Sequence, residues 1–249
     1  MDALEVLRRE LSTAGVFVDF DGTLSPIVAS AADARPLPGT GEVLLRLAAV
    51  AGRVAVVSGR PIDYLAAQLP DTIELHGLYG LESRVDGQLR QRADAGRWRP
   101  IIDEAAADAM VAVAPAGVDV EHKGLSLTLH FRRVPDAEDD AVQWVHDAAA
   151  RFGLEVRAAK KSFELHPPVA VDKGTVVEER SAGLTVVAYI GDDVGDLPAF
   201  EALDRLAALG RTTLKVAVRT PDVSPELLAN ADHEVDGPEG ALELLRSLY

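Results

Sequence analysis

Two aspartates, Asp19 and Asp21, stand directly after a short apolar run, residues 16–18, and are followed by Gly22 and Thr23. The run contains β-branched and aromatic residues, which indicates a buried strand. Residues two apart on a strand point the same way, so both carboxylates can face one pocket as the chain turns. Because buried carboxylates need a partner, the pattern predicts a metal ion or a reaction at this strand end.

Three further segments carry candidate residues, and they share a position at the end of an expected strand or the start of an expected helix. They are Ser58-Gly59-Arg60 after strand 54–57, Lys173-Gly174 at a helix start, and Asp192, Asp193 and Asp196 after strand 185–190. If the strands are neighbours in a parallel sheet, their carboxyl ends meet at one edge, where such sheets bind ligands. Oxygen ligands suit a hard cation, and Mg²⁺ is the ion that we expect.

The same residues can perform phosphoryl chemistry. Asp19 can attack phosphorus and form an aspartyl-phosphate, and Asp21 can protonate the leaving alcohol and later deprotonate water. Thr23 and Ser58 can donate hydrogen bonds to phosphoryl oxygens, and Lys173 can bind an anion at its helix start. Two plainer interpretations stay open at this point, with Ser58 as a helix cap and Lys173 as a solvated surface lysine.

Strands and helices alternate in residues 1–96 and again in 168–249, which predicts an α/β fold with a Rossmann-like parallel-sheet core. The stretch between them, 97–167, instead shows the order helix, strand, strand, helix, strand, strand. Its alternation of apolar and polar residues at 125–131 is typical of an antiparallel sheet with one covered face. We therefore expect 97–167 to be an inserted α+β domain. The expected core strands are 16–19, 54–57, 72–75, 185–190 and 214–218, with a closing helix at 239–248.

The composition excludes several classes of function. The chain has 249 residues, 48% of them apolar, and a formal net charge of −15, which argues against a general nucleic-acid binder. No apolar run approaches the ~20 residues of a membrane span, and the start of the chain lacks a basic, apolar secretory stretch, so we expect a cytoplasmic protein. The absence of cysteine excludes disulfides, thiolate metal sites and cysteine nucleophiles.

Four ordered motifs resemble those of the haloacid dehalogenase-type phosphatases: Asp19-Phe20-Asp21-Gly22-Thr23, Ser58-Gly59-Arg60, Lys173-Gly174 and Gly191-Asp192-Asp193. The insert lies between the second and third motifs, which resembles the cap domain of the sugar-phosphatase branch. Within that branch the chain resembles the trehalose-6-phosphate phosphatases at residues 19–26, at 122–126, and at 163–168 with 172–174. The resemblance covers nearly the whole chain and implies a core of 1–96 and 168–249 with a cap of 97–167.

The resemblance also implies roles for the core residues. Asp19 would be the nucleophile and Asp21 the general acid and base, while Ser58 and Lys173 would hold the phosphoryl group. Mg²⁺ would be bound by Asp19, the main-chain carbonyl of Asp21, and Asp192. Two further acids would support the metal site, Asp193 and Asp196.

Substrate contacts are implied for five residues: Thr23, Arg60, Glu82, Lys123 and Glu164. Lys123 and Glu164 lie in the cap, whose closure would bring them to the sugar. Judged without the resemblance, Lys123 is an ordinary turn lysine and Glu164 a charge at a strand edge.

The chain departs from the family pattern at three places. Tyr79 stands where the family usually has histidine, and His122 replaces an aspartate. The fourth motif keeps Asp192, Asp193 and Asp196 but lacks the two acids that commonly follow. These changes bear on the geometry of the fourth motif and on substrate fit.

The motifs and the resemblance together therefore predict a Mg²⁺-dependent phosphatase that converts trehalose 6-phosphate to trehalose and phosphate. The resemblance also raises a functional link to a trehalose-phosphate synthase. The sequence does not give the oligomeric state, of which a monomer is favoured. One alternative is a phosphatase for another sugar phosphate, such as sucrose phosphate or mannosyl-phosphoglycerate. A second is a signalling domain that accepts a phosphoryl group without being an enzyme. Asp21, which can hydrolyse the intermediate, and the inserted domain both argue against it. A third is a related protein that binds a ligand but has lost catalytic activity. The altered fourth motif keeps this alternative open.

Overall fold

The computed structural model describes residues 2–28, 31–159, 161–221 and 223–249. The chain divides into two compact units, one made of Met1–Arg90 and Val171–Tyr249 and the other of Gln91–Ala170. The second unit therefore begins earlier and ends later than the insert that the sequence suggests at 97–167.

The strands in chain order are β1 Ala14–Val18, β2 Arg53–Val57, β3 Glu74–Gly77, β4 Glu82–Val85, β5 Gln88–Gln91, β6 Asp119–His122, β7 Leu127–His130, β8 Glu155–Ala159, β9 Ser162–His166, β10 Val186–Gly191, β11 Thr212–Arg219 and β12 His233–Asp236. The helices are α1 Ala3–Arg9, α2 Thr40–Ala48, α3 Ile62–Ala66, α4 Arg99–Ala112, α5 Glu138–Phe152, α6 Lys173–Arg180, α7 Leu197–Ala208, α8 Pro225–Asn230 and α9 Gly237–Arg246. Within the described parts of the chain, none of these helices is long and apolar enough to cross a membrane.

The first unit is built on one sheet with the strand order β12-β11-β10-β1-β2-β3-β4-β5. The pairs from β12 to β3 are parallel, and β4 is antiparallel to β3. Strand β1 lies in the middle, with Val18 opposite both Ile190 and Val56. This register brings the chain positions that follow β1 and β10 side by side. The predicted α/β fold with a parallel-sheet core is confirmed.

Helices cover both faces of this sheet. Val16 and Val18 pack into the cluster that contains Leu44 of α2, whereas Phe17 packs into the cluster that contains Leu203 of α7. The alternation follows from strand geometry, since successive side chains point to opposite faces. With both faces covered, the carboxyl ends of the strands are the place where a ligand can reach the sheet.

The second unit contains an antiparallel sheet with the order β6-β7-β9-β8. Its core joins Leu127 and Leu129 of β7 to Ile102 of α4 and Val145 of α5. The helices α4 and α5 thus supply the apolar cover that the alternating pattern of β7 predicts.

Two strand predictions had wrong bounds, and two elements were not predicted at all. The strand expected at 72–75 is β3 at Glu74–Gly77, because the amide of Ile73 is used in a turn on the carbonyl of Pro70. The strand expected at 125–131 is limited to β7. Helix α8 and strand β12 were not predicted, since both are short and β12 is only half-buried, which gives no clear apolar run.

Candidate active site

Asp19 is positioned by the pairing of the two central strands. It follows β1, and its amide donates to the carbonyl of Ile190 in β10 at 2.9 Å. The residue is buried, with 5% of its surface exposed. Parallel pairing thus places the first predicted carboxylate beside the segment that carries the fourth motif.

The turn after Asp19 depends on Gly22. Its φ is +78°, and its amide donates to the carbonyl of Ser25 at 2.7 Å. A Cβ on Gly22 would lie 2.1 Å from Oδ2 of Asp192, which is far inside contact distance. The glycine therefore permits both the left-handed backbone and the close approach of the first and fourth motifs.

Lys173 bridges two buried carboxylates. It is the first residue of α6, whose N-cap Asp172 accepts from the amide of Thr175 at 2.7 Å. Its Nζ lies 2.8 Å from Oδ1 of Asp19 and 2.6 Å from Oδ1 of Asp196. Burial opposes the charged form, but the two carboxylates outweigh it and raise the pKa of Lys173 well above its ordinary value. The lysine is a fixed cation in the site and not a solvated surface residue.

Asp196 is fully buried and accepts hydrogen bonds at both oxygens. Oδ1 accepts from Lys173 and from the hydroxyl of Tyr189, both at 2.6 Å. Oδ2 accepts from the amides of Asp192 and Asp193 at 2.9 and 3.0 Å. These bonds shape the turn that presents Asp192, so Asp196 holds the backbone of that turn in place.

Asp193 is not one of the buried carboxylates of this region. It is exposed, and its Oδ1 accepts from the amide of Val194 at 2.6 Å. It therefore caps the short turn at Val194–Asp196 and contributes no oxygen to the buried group.

Three carboxylates in this region have the arrangement of a cation site. Ligand oxygens of Asp19, Asp192 and Asp196 lie within 4.8 Å of one another, and all three residues are buried. Within the described residues, Oδ1 of Asp192 is buried without a hydrogen-bond partner. Lys173 balances one of the three charges, so the group has room for a divalent cation with oxygen ligands, as Mg²⁺ requires.

The pKa values of Asp19 and Asp192 are both raised, which agrees with a group of carboxylates whose negative charges Lys173 only partly balances. Burial raises the pKa of Asp19, with Lys173 opposing the shift and Asp196 adding to it. Burial also raises the pKa of Asp192, and the charge of Asp19 raises it further. A bound cation would offset this repulsion and favour the ionised forms.

Ser58 and Thr23 lie at the same sheet edge. Ser58 follows β2, and its amide donates to the carbonyl of His76 at 2.9 Å while its Oγ accepts from the amide of Arg60 at 3.2 Å. Thr23 is fully buried, and its Oγ1 has no partner within the described part of the chain. Ser58 thus does cap its own turn, but its hydroxyl can still donate, as can that of Thr23.

Arg60 contacts Asp21. Its Nε and Nη2 donate to Oδ2 and Oδ1 of Asp21, each at 2.7 Å, in a bidentate pair. The guanidinium also lies over the ring of Tyr64, 4.6 Å from its centroid. Sequence reasoning placed both residues in the site but did not predict that one binds the other.

Glu82 lies at the start of β4, and its Oε2 accepts from the amide of Ile62 at 3.3 Å. This bond satisfies a free amide in the first turn of α3. The structure thus gives Glu82 a capping contact that its sequence motif did not suggest.

The second unit holds the remaining two predicted residues together. Nζ of Lys123 lies 3.4 Å from Oε2 of Glu164 and 4.0 Å from Oε2 of Glu121. Glu164 is buried, and its Oε1 lacks a hydrogen-bond partner among the residues described. A buried carboxylate oxygen with spare capacity can bind a hydroxyl.

Tyr189 is the one polar side chain of this network that sequence reasoning missed. It stands in the apolar run of β10, where the sequence pattern predicts only a strand and no role for the hydroxyl. Burial raises its pKa well above the ordinary value, and Asp196 raises it further, so the hydroxyl stays protonated and donates. A hydroxyl in an otherwise apolar strand, two residues before Gly191, was the available signal.

The sequence matches a known family over most of its length. The family model described as trehalose-phosphatase matches residues 17–237. The chain belongs to the trehalose-phosphatase family. The match includes all four motifs, so the predicted membership is confirmed.

Two similar proteins are longer than this chain. It is 35% identical over 204 residues to the trehalose-phosphate phosphatase of Mycobacterium leprae, an alignment that covers 76% of this chain and 47% of that protein. It is 36% identical over 220 residues to a Mycobacterium tuberculosis protein named uncharacterized glycosyl hydrolase, which covers 81% of this chain and 16% of that protein. The chain thus spans about half the length of the first relative and far less of the second.

A solved structure shares the fold. The C-terminal domain of the C. albicans trehalose-6-phosphate phosphatase is similar with a TM-score of 0.79 and 22% identity, covering 98% of this chain and 95% of that domain. This chain and that domain therefore share their fold over nearly the whole of both.

Proposed function

We propose that this protein is a Mg²⁺-dependent phosphatase that hydrolyses trehalose 6-phosphate to trehalose and phosphate. The observation that carries the proposal is the contact of Lys173 with Asp19 beside the buried oxygens of Asp192 and Asp196. Membership of the trehalose-phosphatase family supports the substrate. The formal net charge of −15 repels an anionic substrate, so the substrate must be attracted by a local positive site. Lys173 and a divalent cation would form that site.

The first step would be attack by Asp19. A carboxylate oxygen of Asp19 forms a bond to phosphorus while the bond from phosphorus to the sugar oxygen breaks. Asp21 gives a proton to that leaving oxygen, so that trehalose leaves neutral. The ammonium of Lys173 and the hydroxyls of Ser58 and Thr23 stabilise the charge on the phosphoryl oxygens.

The second step would regenerate the carboxylate. Asp21, now ionised, takes a proton from water, and the water oxygen bonds to phosphorus as the bond to Asp19 breaks. Arg60, which binds both carboxylate oxygens of Asp21 in the structure, would orient that side chain, and one of the two bonds would have to open when Asp21 carries the proton. When bound by Asp19, Asp192 and the main-chain carbonyl of Asp21, Mg²⁺ would neutralise charge on the phosphoryl group and on the acids around it.

We further propose that residues 91–170 act as the cap and select the sugar. Lys123 and Glu164 would bind sugar hydroxyls, supported by the buried, unpartnered Oε1 of Glu164. Glu164→Gln keeps the size of the side chain but removes its charge, and it should raise KM for trehalose 6-phosphate while leaving hydrolysis of p-nitrophenyl phosphate, which has no sugar, within about twofold.

The experiment that tests the function is phosphate release from a panel of sugar phosphates, with and without a chelator. Trehalose 6-phosphate should give the highest kcat/KM, the chelator should abolish turnover, and Mg²⁺ should restore it. Preference for sucrose phosphate or mannosyl-phosphoglycerate would overturn the substrate, and chelator-resistant turnover would overturn the metal. Asp19→Asn serves as the inactive control, because its amide keeps the shape but is a poor nucleophile.

A further inference from the structure

Tyr189 brings a neutral hydroxyl into the charged network from inside the apolar core. Its ring is fully buried and meets Phe200 edge-on, with centroids 6.3 Å apart and planes at 82°. The hydroxyl donates to Oδ1 of Asp196 at 2.6 Å. Packing on the ring therefore fixes where that donor lies.

The oxygen that accepts from Tyr189 also accepts from Lys173. Both donors lie 2.6 Å from Oδ1 of Asp196, and the same ammonium lies 2.8 Å from Oδ1 of Asp19. Two donors that bond to the same oxygen compete for its lone pairs, so the bond from the hydroxyl weakens the attraction of that oxygen for a second donor. The hydroxyl thereby limits how strongly Asp196 attracts Lys173 and leaves the ammonium shared with Asp19.

Removing the hydroxyl of Tyr189 would change how the ammonium of Lys173 is shared between Asp196 and Asp19. Oδ2 of Asp196 stays occupied by the amides of Asp192 and Asp193, so Lys173 becomes the remaining donor to Oδ1 among the described residues. The ammonium should then move toward Asp196 and away from Asp19. A misplacement of about 1 Å at a group that contacts the reacting atoms can lower the rate about 100-fold.

We propose that Tyr189 is a positioning residue that acts through Asp196 to hold Lys173 against Asp19. The proposal rests on the proposed function, in which Asp19 is the nucleophile. Tyr189 itself touches neither substrate nor reacting atoms. Its contribution should appear in the transition state, where the phosphoryl group lies between Asp19 and the leaving oxygen, and much less in substrate binding.

The test is Tyr189→Phe in the Mg²⁺-loaded enzyme, which removes one oxygen and keeps the ring. We expect kcat for trehalose 6-phosphate to fall about 10- to 100-fold with KM changed less than about threefold. The affinity for orthovanadate, which mimics the transferring phosphoryl group, should fall in parallel. In an Asp196→Asn background the oxygen remains but the charge that attracts Lys173 is gone, so the further loss from Tyr189→Phe should become smaller, since residues that act through one group are not additive.

The control variant is Ser181→Ala. Ser181 is fully buried at the end of the helix that Lys173 begins, and its hydroxyl donates to the carbonyl of Val177. Its loss should lower thermal stability to a similar degree but leave kcat and vanadate affinity within about twofold, because no charged group is involved.

Two results would overturn the proposal: a Tyr189→Phe enzyme with kcat and vanadate affinity within about twofold of the parent, or an undiminished loss in the Asp196→Asn background. Comparing the parent and Tyr189→Phe enzymes with p-nitrophenyl phosphate as substrate separates the proposed role of Tyr189 from the proposed substrate. A parent enzyme that hydrolyses this ester but no trehalose 6-phosphate contradicts the proposed substrate, while the effect of Tyr189→Phe still decides the role of the hydroxyl.

Discussion

Arg60 binds both carboxylate oxygens of Asp21, through its Nε and Nη2, at 2.7 Å each. Only a planar guanidinium can make two parallel bonds of this kind. Two further contacts fix the position of Arg60. Its guanidinium lies over the ring of Tyr64, and its backbone amide donates a hydrogen bond to Oγ of Ser58. The second motif is thereby joined to the proposed general acid and base.

Replacing Arg60 should therefore affect turnover more than substrate binding. We expect Arg60→Gln to lower kcat about 10-fold or more, because the proton-transfer group Asp21 loses the contact that orients it, with a smaller change in KM. Arg60→Lys keeps the charge but not the two bonds and should lose nearly as much. A large rise in KM at constant kcat would instead make Arg60 a substrate contact, as the motif resemblance implies.

Gly22→Ala should disrupt the cluster by a direct clash. The added Cβ would lie 2.1 Å from Oδ2 of Asp192, and the left-handed φ adds its own cost. We expect a loss of more than about 2 kcal/mol in the free energy of unfolding, measured by chemical denaturation. Gly87→Ala is the matched control, because Gly87 has φ +71° but nothing within 4 Å, and it should cost only about 1 kcal/mol. Equal losses for the two variants would refute the clash.

Asp192→Asn should separate metal binding from stability. The side chain is buried with an unpartnered Oδ1, and burial together with Asp19 raises its pKa, so the neutral amide should make the metal-free protein more stable. Mg²⁺ affinity, measured by calorimetric titration, should fall at least about 10-fold because a carboxylate ligand is lost.

Asp193→Asn is the control for that experiment. Asp193 is exposed and caps Val194, so its variant should retain Mg²⁺ affinity within about threefold. An Asp192→Asn protein with parental affinity would remove Asp192 from the metal site.

Glu74 should make stability depend on acid pH. Burial would raise its pKa, but hydrogen bonds from His76 and Arg180 outweigh burial and lower it from 4.5 to about 2. The unfolded chain therefore takes up the proton first as the pH falls. The stabilisation by ionised Glu74 is complete above pH 4.5 and is lost as the pH falls toward about 2.

The variant Glu74→Gln tests this linkage. At pH 7 it should lower the free energy of unfolding by about 3 kcal/mol, and the difference from the parent should shrink below pH 4.5. Glu5→Gln, at an exposed position on α1, should change it by less than about 0.5 kcal/mol at any pH. A difference that stays constant from pH 7 to pH 3 would contradict the linkage.

The sequence was most informative where chemistry follows strand order. An apolar run followed by Asp19 and Asp21, and another followed by Asp192, suffice to bring these acids to one sheet edge once the sheet is parallel. The register of β1 with β10 then makes them neighbours.

Contacts that depend on side-chain direction could not be predicted in this way. The pairing of Arg60 with Asp21 joins residues 39 positions apart, and that of Lys173 with Asp196 joins residues 23 apart. Neither spacing is a pattern of a single helix or strand. Tyr189 was missed for a related reason, since an aromatic residue in an apolar strand is ordinary core until a partner for its hydroxyl is seen.

The most direct test of the account is to trap the phosphoryl group on Asp19. In Asp21→Asn, p-nitrophenyl phosphate should still react, because its leaving group needs no proton, but hydrolysis of the intermediate lacks its base. We predict a burst of about one p-nitrophenolate per active site, followed by slow turnover. Borohydride reduction should then convert residue 19 to homoserine, detected by peptide mass spectrometry. Steady turnover without a burst, or reduction at a residue other than Asp19, would contradict the account.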